Sequence, residues 1–249
     1  MMRLAPSGVV APLMLLCALG CIETRPREVH VCAASSLAQA MPELLTRTHT
    51  GATTAFGASG ALARQIRLGA PCDVFISADA RWAASLAEDG LTRGASVHIA
   101  TNVVVVATPR DAPRPAALSD LQAPRYAHIA VAAPEAPLGE ATRAALDNAH
   151  LLSVLKPHFV LASDANTTRM WLARGEANAG FVYATDVAQE PAIERAFDVP
   201  PDLYEALHVT AVVLRNARPE AEAMLGVLAS QEARSVLRAH AFQVDGLVE

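Results

Sequence analysis

A turn of small residues at positions 57–60 carries a serine where a helical pattern begins. Over residues 61–68 the apolar positions recur at helical spacing, and Gly69 ends the run. Ser59 therefore lies beside backbone N–H groups that a helix cannot satisfy internally, at the positive end of its dipole. A hydroxyl in this position is typical of an anion site. An ordinary helix N-cap is the other interpretation, and it is favoured when Ser59 is taken alone.

Several other strand ends also lead into helices through residues that donate hydrogen bonds. They present hydroxyl groups or backbone N–H groups, and none of them presents a lysine or a histidine. A dehydrated oxyanion accepts several short hydrogen bonds from neutral dipoles of this kind. The sequence thus predicts an anion-binding cleft built from five turns: Ser35 or Ser36, Ser59, residues 137–139, residues 164–167 and Tyr183.

Residues suited to catalysis are present but are not grouped. The eight histidines have no metal-binding spacing, and the sequence contains no nucleophile elbow, phosphate loop or dinucleotide fingerprint. The formal charge is −5 and basic runs are absent, which argues against a nucleic-acid partner. Four aspartates near strand ends are explained more simply as helix caps and solvated loop ends than as acid–base pairs: Asp73, Asp79, Asp164 and Asp186. We therefore predict that the protein is not an enzyme.

The elements that position these turns alternate between strand and helix, as in an α/β fold. Apolar runs at 102–107 and 208–214 are suited to cross between two lobes. We expect lobe 1 to comprise residues 29–101 plus 212–249, and lobe 2 residues 102–211. Each lobe is predicted to be a mostly parallel sheet flanked by helices, with the ligand in the interlobe cleft, at the carboxyl ends of the strands.

The N-terminal sequence predicts an export signal. An apolar run at residues 9–19 has the length of a signal peptide and ends before Cys21 in a motif that resembles a bacterial lipobox. We expect residues 1–20 to be a lipoprotein-type signal peptide and residues 21–28 a tether. Lipidated Cys21 would then anchor the protein in the periplasm. Cleavage by an ordinary signal peptidase near Gly20 is the alternative.

Two further cysteines, Cys32 and Cys72, lie in or beside predicted strands. A free cysteine in such a place acts as a small buried hydrophobic residue, which favours two free thiols. Because we expect export to an oxidising compartment, a disulfide between the two cysteines is the alternative.

Four segments together resemble the periplasmic molybdate-binding proteins of ABC transporters: residues 31–41, 57–66, 69–79 and 175–186. The resemblance runs in unbroken order from Val29 to Phe242. It implies a type II periplasmic-binding-protein fold that closes by hinge motion on tetrahedral molybdate or tungstate. It also implies delivery of that oxyanion to an ABC permease, and we expect a monomer that needs no cofactor.

Carried over position by position, the resemblance implies five ligand-binding residues that would reach the molybdenum only through the oxygens of molybdate: Ser36, Ser59, Leu138, Ala165 and Tyr183. The two serines and the tyrosine would donate through hydroxyl groups, Ser36 also through its backbone N–H. Leu138 and Ala165 depart from the family's usual side chains, which backbone donation tolerates. A different tetrahedral oxyanion such as sulfate, or a ligand-sensing role on the same fold, remains an alternative.

Overall fold

The computed structural model describes residues 28–134 and 136–244. The predicted signal peptide, Cys21 and all of the tether except Glu28 lie outside the described residues. Within these ranges no helix is long and apolar enough to cross a bilayer.

Strands and helices alternate along most of the described chain. The strands are β1 (Val29–Ala34), β2 (Ala52–Gly57), β3 (Val74–Ser77), β4 (Thr92–Asn102), β5 (Val104–Pro109), β6 (Ile129–Ala132), β7 (Phe159–Ala162), β8 (Ala179–Tyr183), β9 (Ile193–Asp198) and β10 (Leu207–Leu214). The α-helices are α1 (Ala40–Arg47), α2 (Ser59–Arg67), α3 (Ala80–Glu88), α4 (Pro137–Asn148), α5 (Leu152–Leu155), α6 (Ala165–Ala173), α7 (Ala184–Gln189), α8 (Ala221–Ala229) and α9 (Gln231–Ala239). Short 3₁₀ turns lie between them at Ser35–Leu37, Leu118–Gln122, Pro124–Tyr126, Lys156–His158 and Pro201–Leu203.

The strands form two five-stranded sheets with the same layout. The order is β2-β1-β3-β10-β4 in the first sheet and β7-β6-β8-β5-β9 in the second. In each sheet the fourth strand, β10 or β5, is antiparallel to both of its neighbours, so the other four strands share one direction. The predicted fold of two mostly parallel sheets flanked by helices is confirmed.

Each sheet is buried on both faces, because apolar residues occupy both sets of alternating positions. In β5, Val104 and Val106 face one core cluster of the second sheet, and Val105 and Ala107 face the other. This double burial requires helices on both sides of the sheet.

The chain crosses between the sheets at the ends of β4 and β9. β4 ends at Asn102 in the first sheet and β5 begins at Val104 in the second, so the predicted run 102–107 contains the first crossing. β10 belongs along its whole length to the first sheet, so the return crossing lies before Leu207 and before the expected boundary at 212. β4 and β9 have irregular burial patterns with exposed positions, so neither follows the regular alternation typical of a strand.

Cys32 and Cys72 form a disulfide in the structure, with their Cα atoms 6.0 Å apart. Cys32 lies in β1 and Cys72 precedes β3, the strand that pairs with β1. The preference for two free thiols is therefore wrong. Parallel pairing of two strands that are distant in the sequence brings the two sulfur atoms together, and no local pattern records that pairing.

Candidate functional site

The first sheet places two of the predicted site residues at the carboxyl ends of neighbouring strands. Ser36 follows β1 and Ser59 follows β2, and these strands pair in parallel up to Ala34 and Gly57. β3 lies on the other side of β1 and leads into Ala78. The turns after all three strands therefore share one edge of the sheet.

Ser59 is the first residue of α2, and Ala58 takes the N-cap position without a side-chain hydrogen bond. The interpretation of Ser59 as an ordinary N-cap is therefore wrong. Its buried Oγ instead accepts a hydrogen bond from the backbone N–H of Ala78, at 3.1 Å. Since this bond occupies an acceptor position of the oxygen, the hydroxyl proton stays available for donation to another group.

Ser36 lies in the 3₁₀ turn after β1, and neither it nor Ser35 caps a helix with its side chain. The Ser36 Oγ is buried and has no hydrogen-bond partner among residues 28–134 and 136–244. A buried hydroxyl without a partner costs free energy, and an acceptor placed beside it removes that cost. The Ser36 hydroxyl is therefore free to bind an acceptor from outside the described residues.

The second sheet places the other three residues at its own carboxyl edge. Leu138 and Ala165 lie in the first turns of α4 and α6, which follow the neighbouring strands β6 and β7. N–H groups in a first turn have no carbonyl partner within their own helix. The N-cap of α6, Asp164, accepts the N–H of Thr167 at 2.8 Å, which leaves the Ala165 N–H free of that cap.

Tyr183 ends β8 and is 6% exposed. Burial raises the pKa of its phenol far above the usual range, and the carboxylates of Asp186 and Asp79 raise this pKa further. The phenol therefore stays protonated and can only be a donor toward an anion. The contribution of Asp79 also shows that a residue of the first lobe lies near Tyr183.

The edges of the two sheets face each other. The guanidinium of Arg81, in α3 of the first lobe, donates to both carboxylate oxygens of Glu140 in α4, at 3.0 and 2.6 Å. Glu140 lies in the same helical turn as Leu138. Sequence reasoning missed Arg81 and Glu140, because an ion pair between residues 59 positions apart leaves no local signal.

Two further buried polar side chains lie near these turns along the chain. Thr185 comes two residues after Tyr183, and Asn102 ends β4 where the chain crosses between the sheets. The hydroxyl of Thr185 and both polar atoms of the Asn102 amide have no hydrogen-bond partner within the described part of the chain.

The chemistry available at this place is donation to an anion. Among the described residues no group of three or more His, Cys, Asp and Glu side chains is arranged to hold a metal ion. Two surface cavities of about 390 and 290 Å³ lie on the second lobe around Leu152 and Lys156 and share no residue with the five predicted site residues. Neither cavity therefore coincides with the sheet edges that carry the five predicted site residues.

Gly139 is required for the position of the α4 N-terminus. A Cβ at this residue would overlap the carbonyl oxygen of Ala133 and lie 2.5 Å from that of Ala132. Replacing Gly139 by alanine is expected to push the first turn of α4 away from β6 and to lower the free energy of unfolding by about 1–3 kcal/mol. Chemical denaturation measures this loss.

The matched control is Gly226→Ala in α8, where a new Cβ would have no heavy atom within 4 Å. Alanine in an open helix interior is expected to stabilise the protein by about 0.5–1 kcal/mol. Equal effects of the two substitutions would contradict the close approach at Gly139.

The buried carboxyl of Asp186, in the first turn of α7, is expected to make the free energy of unfolding depend on pH. Burial raises the pKa of its carboxyl to about 6 from the ordinary 3.8, although the N–H of Tyr183 and the charge of Arg169 act in the opposite direction. The folded state holds the Asp186 proton more tightly than the unfolded state does. The contribution of this proton to the free energy of unfolding is therefore complete below pH 3.8 and is lost as the pH rises through about 6. The loss is on the order of 3 kcal/mol.

Asp186→Asn is expected to abolish this loss, since an asparagine oxygen can still accept the Tyr183 N–H. Denaturation of the wild type and the variant at matched pH values between 4 and 7 measures the difference. Parallel pH profiles of the two proteins would refute this prediction.

A model of the bacterial extracellular solute-binding protein family matches residues 29–243, which include both sheets and all five predicted site residues. The chain belongs to this family. Among the relatives of this solute-binding protein, the molybdate-binding protein ModA of Azotobacter vinelandii is 27% identical over 229 residues, covering 86% of this chain and 89% of the relative. The ModA of Rhodobacter capsulatus is 31% identical over 199 residues, covering 76% of each chain.

A solved structure supports the fold of this solute-binding protein. The Azotobacter vinelandii periplasmic molybdate-binding protein superposes with a TM-score of 0.75 at 24% identity, covering 86% of this chain and 98% of that one. Together with the family match and the named relatives, this confirms the predicted resemblance to molybdate-binding proteins. Because the family is one of binding proteins for transport, the prediction that the chain is not an enzyme is confirmed as well.

Proposed function

We propose that this solute-binding protein captures molybdate, and also tungstate, in the cleft between its two sheets and delivers it to an ABC permease. The observation that carries the proposal is the buried hydroxyl of Ser36, which has no partner in the described part of the chain, at the end of the strand next to that of Ser59, whose proton is left free to donate. Relatives named as molybdate-binding proteins supply the identity of the anion.

Five residues are proposed to hold the oxyanion by hydrogen bonds to its oxygens: Ser36, Ser59, Leu138, Ala165 and Tyr183. The serine hydroxyls act from the first lobe, and the two backbone N–H groups and the phenol act from the second. All of these donors are neutral, so they offset the charge of the dianion through short, oriented hydrogen bonds in a place shielded from water. No protein atom contacts the molybdenum, and no cofactor takes part.

Selectivity against sulfate is proposed to come from the size of the closed cavity. Molybdate, tungstate and sulfate share a charge and a tetrahedral set of acceptors, so donor chemistry alone does not separate them. A larger oxyanion reaches donors on both lobes at once, whereas a smaller one leaves some of the donors without a partner.

The proposed location is the periplasm, where lipidation of Cys21 would anchor the protein beside its permease. The chain is proposed to act as a monomer, since both halves of the anion site come from the same chain.

Titration calorimetry of the purified protein with molybdate, tungstate and sulfate tests the proposal. We expect molybdate and tungstate to bind with similar affinity and sulfate to bind far more weakly. Tighter binding of sulfate would reject the molybdate assignment, and the absence of heat with all three anions would reject the oxyanion site itself.

A further inference from the structure

One ion pair joins the two lobes at the mouth of the cleft. Two nitrogens of the Arg81 guanidinium each donate to one oxygen of the Glu140 carboxylate, at 3.0 and 2.6 Å. A bidentate pair of this kind fixes both the distance and the orientation of its partners. Its two members lie in α3 and α4, helices packed on different sheets.

Arg81 is held on the first lobe independently of Glu140. Its Nε and Nη2 donate to the Asp79 carboxylate at 3.1 and 2.7 Å, and its backbone N–H donates to the same carboxylate at 2.9 Å. The Asp79 side chain is only 8% exposed. Hydrogen bonds to Asp79 and then to Glu140 raise the pKa of the guanidinium, which stays charged. Opening of the cleft would therefore break the contact with Glu140 and leave Arg81 on Asp79.

Within residues 28–134 and 136–244, every other ion pair found joins two residues of the same lobe. The pairs are Arg47–Glu43, Arg47–Glu232, Arg67–Asp89, Arg81–Asp79, Arg93–Glu222, Arg218–Asp73 and His240–Glu43 in the first lobe, and Arg110–Glu194, Arg114–Glu194, Arg174–Glu176 and Arg195–Asp198 in the second. The contact of Arg81 with Glu140 is thus the single ionic link between the lobes in this part of the chain.

The position of Glu140 is unfavourable for an anion-binding protein unless the residue has another role. It lies two residues after Leu138, in the first turn of the helix whose N-terminus faces the proposed oxyanion. Its negative charge interacts favourably with the N-terminal end of the helix dipole but repels the anion, so helix stability alone does not explain a carboxylate beside the anion site. A contact that holds the cleft closed accounts for a carboxylate at this position.

We propose that Asp79, Arg81 and Glu140 form a latch that holds the two lobes together and slows the release of the bound anion. The inference rests on the proposed function for the identity of that anion, but not for the closure itself. Arg81 and Glu140 are positioning residues, which act on the ligand through the geometry of the cleft. Their side chains are 60% and 53% exposed, so the latch contributes moderately and is weakened by salt.

Glu140→Gln separates the latch from a simple effect of charge. Removing a negative charge beside an anion site slows release if the electric field alone acts, whereas loss of the latch speeds it. We expect release of molybdate from the variant, followed by stopped-flow displacement at 50 mM salt, to be roughly three- to tenfold faster than from the wild type. Unchanged or slower release would overturn the proposal.

Glu222→Gln is the matched control. Glu222 is also an exposed glutamate in the first turn of a helix and is paired with an arginine, Arg93, but both residues belong to the first lobe. The control is expected to release molybdate at the rate of the wild type. An acceleration equal to that of Glu140→Gln would overturn the latch.

A double-variant cycle tests whether the two side chains act as one contact. Arg81→Gln alone and Glu140→Gln alone are each expected to speed release, and the double variant is expected to be no faster than the faster single variant. Raising the salt concentration should speed release from the wild type more than from the double variant. Multiplying effects of the two substitutions would overturn the proposal.

Small-angle X-ray scattering of the anion-free protein tests closure without any ligand. The radius of gyration of Glu140→Gln is expected to exceed that of the wild type at 50 mM salt, whereas Glu222→Gln should match the wild type. A wild type that fails to bind molybdate would reject the proposed function and leave this comparison valid. Identical scattering of all three proteins would overturn the latch.

Discussion

Replacing Ser36 and Ser59 together by alanine is expected to weaken the binding of molybdate by roughly a hundredfold or more. Each hydroxyl supplies a hydrogen bond to a charged oxygen, and loss of such a bond costs about 1–3 kcal/mol. Titration calorimetry of the double variant and of both single variants measures the loss, and each single variant is expected to lose about tenfold or more in affinity.

The same two substitutions are expected to have opposite effects on the stability of the anion-free protein. Ser36→Ala removes a buried hydroxyl that has no partner among the described residues, so the free energy of unfolding is expected to rise slightly. Ser59→Ala removes the acceptor for the Ala78 N–H and leaves a donor unpaired, so the free energy of unfolding is expected to fall. A residue whose removal stabilises the protein but weakens binding is kept for binding.

Ser96→Ala is the control for both measurements, because Ser96 is an exposed residue of β4. It is expected to leave both affinity and stability unchanged. Unchanged affinity in the Ser36 and Ser59 double variant would mean that the anion binds elsewhere.

Loss of the disulfide between Cys32 and Cys72 is expected to lower the free energy of unfolding by about 4 kcal/mol. The bridge closes a loop between residues 40 positions apart, which restricts the unfolded chain. Chemical denaturation with and without a reductant measures this loss. Affinity for molybdate is expected to change little under conditions in which the protein stays folded, since both cysteines lie in the first lobe.

The double variant Cys32→Ser and Cys72→Ser is the control. A reductant is expected to destabilise the wild type and to leave the double variant unaffected. Peptide mapping of the non-reduced protein should recover the two cysteines in one linked species. If the mapping finds two free thiols instead, the bridge and its stabilisation are both refuted.

The sequence located the candidate site through short local patterns. Patterns at strand ends indicated Ser59 and the turns 137–139 and 164–167, and the family resemblance singled out Leu138 and Ala165 within those turns. The structure places all three residues in the first turns of helices. Local sequence patterns predicted the hydrogen bonds of the serine side chains less accurately. N-cap statistics favoured a cap at Ser59, whereas the structure gives its oxygen a backbone donor from the neighbouring β3 turn.

Local sequence patterns do not indicate the two irregular strands, β4 and β9. β4 and β9 pair with strands of their own sheets despite mixed burial patterns, so their hydrogen-bond partners define them rather than their periodicity. The length of β10 likewise followed from its pairing with both β3 and β4.

By itself, the sequence determined the α/β alternation, the two lobes and the hydroxyl-bearing and N–H-bearing turns at the strand ends. These features depend on residue type and on spacings of a few positions, so a short stretch of sequence is enough to predict them. Only the tertiary structure decided the bridge between Cys32 and Cys72, the unpartnered hydroxyl of Ser36 and the contact of Arg81 with Glu140. Each of these depends on the packing of segments that are distant in the sequence. No short sequence pattern indicates which distant segments come into contact.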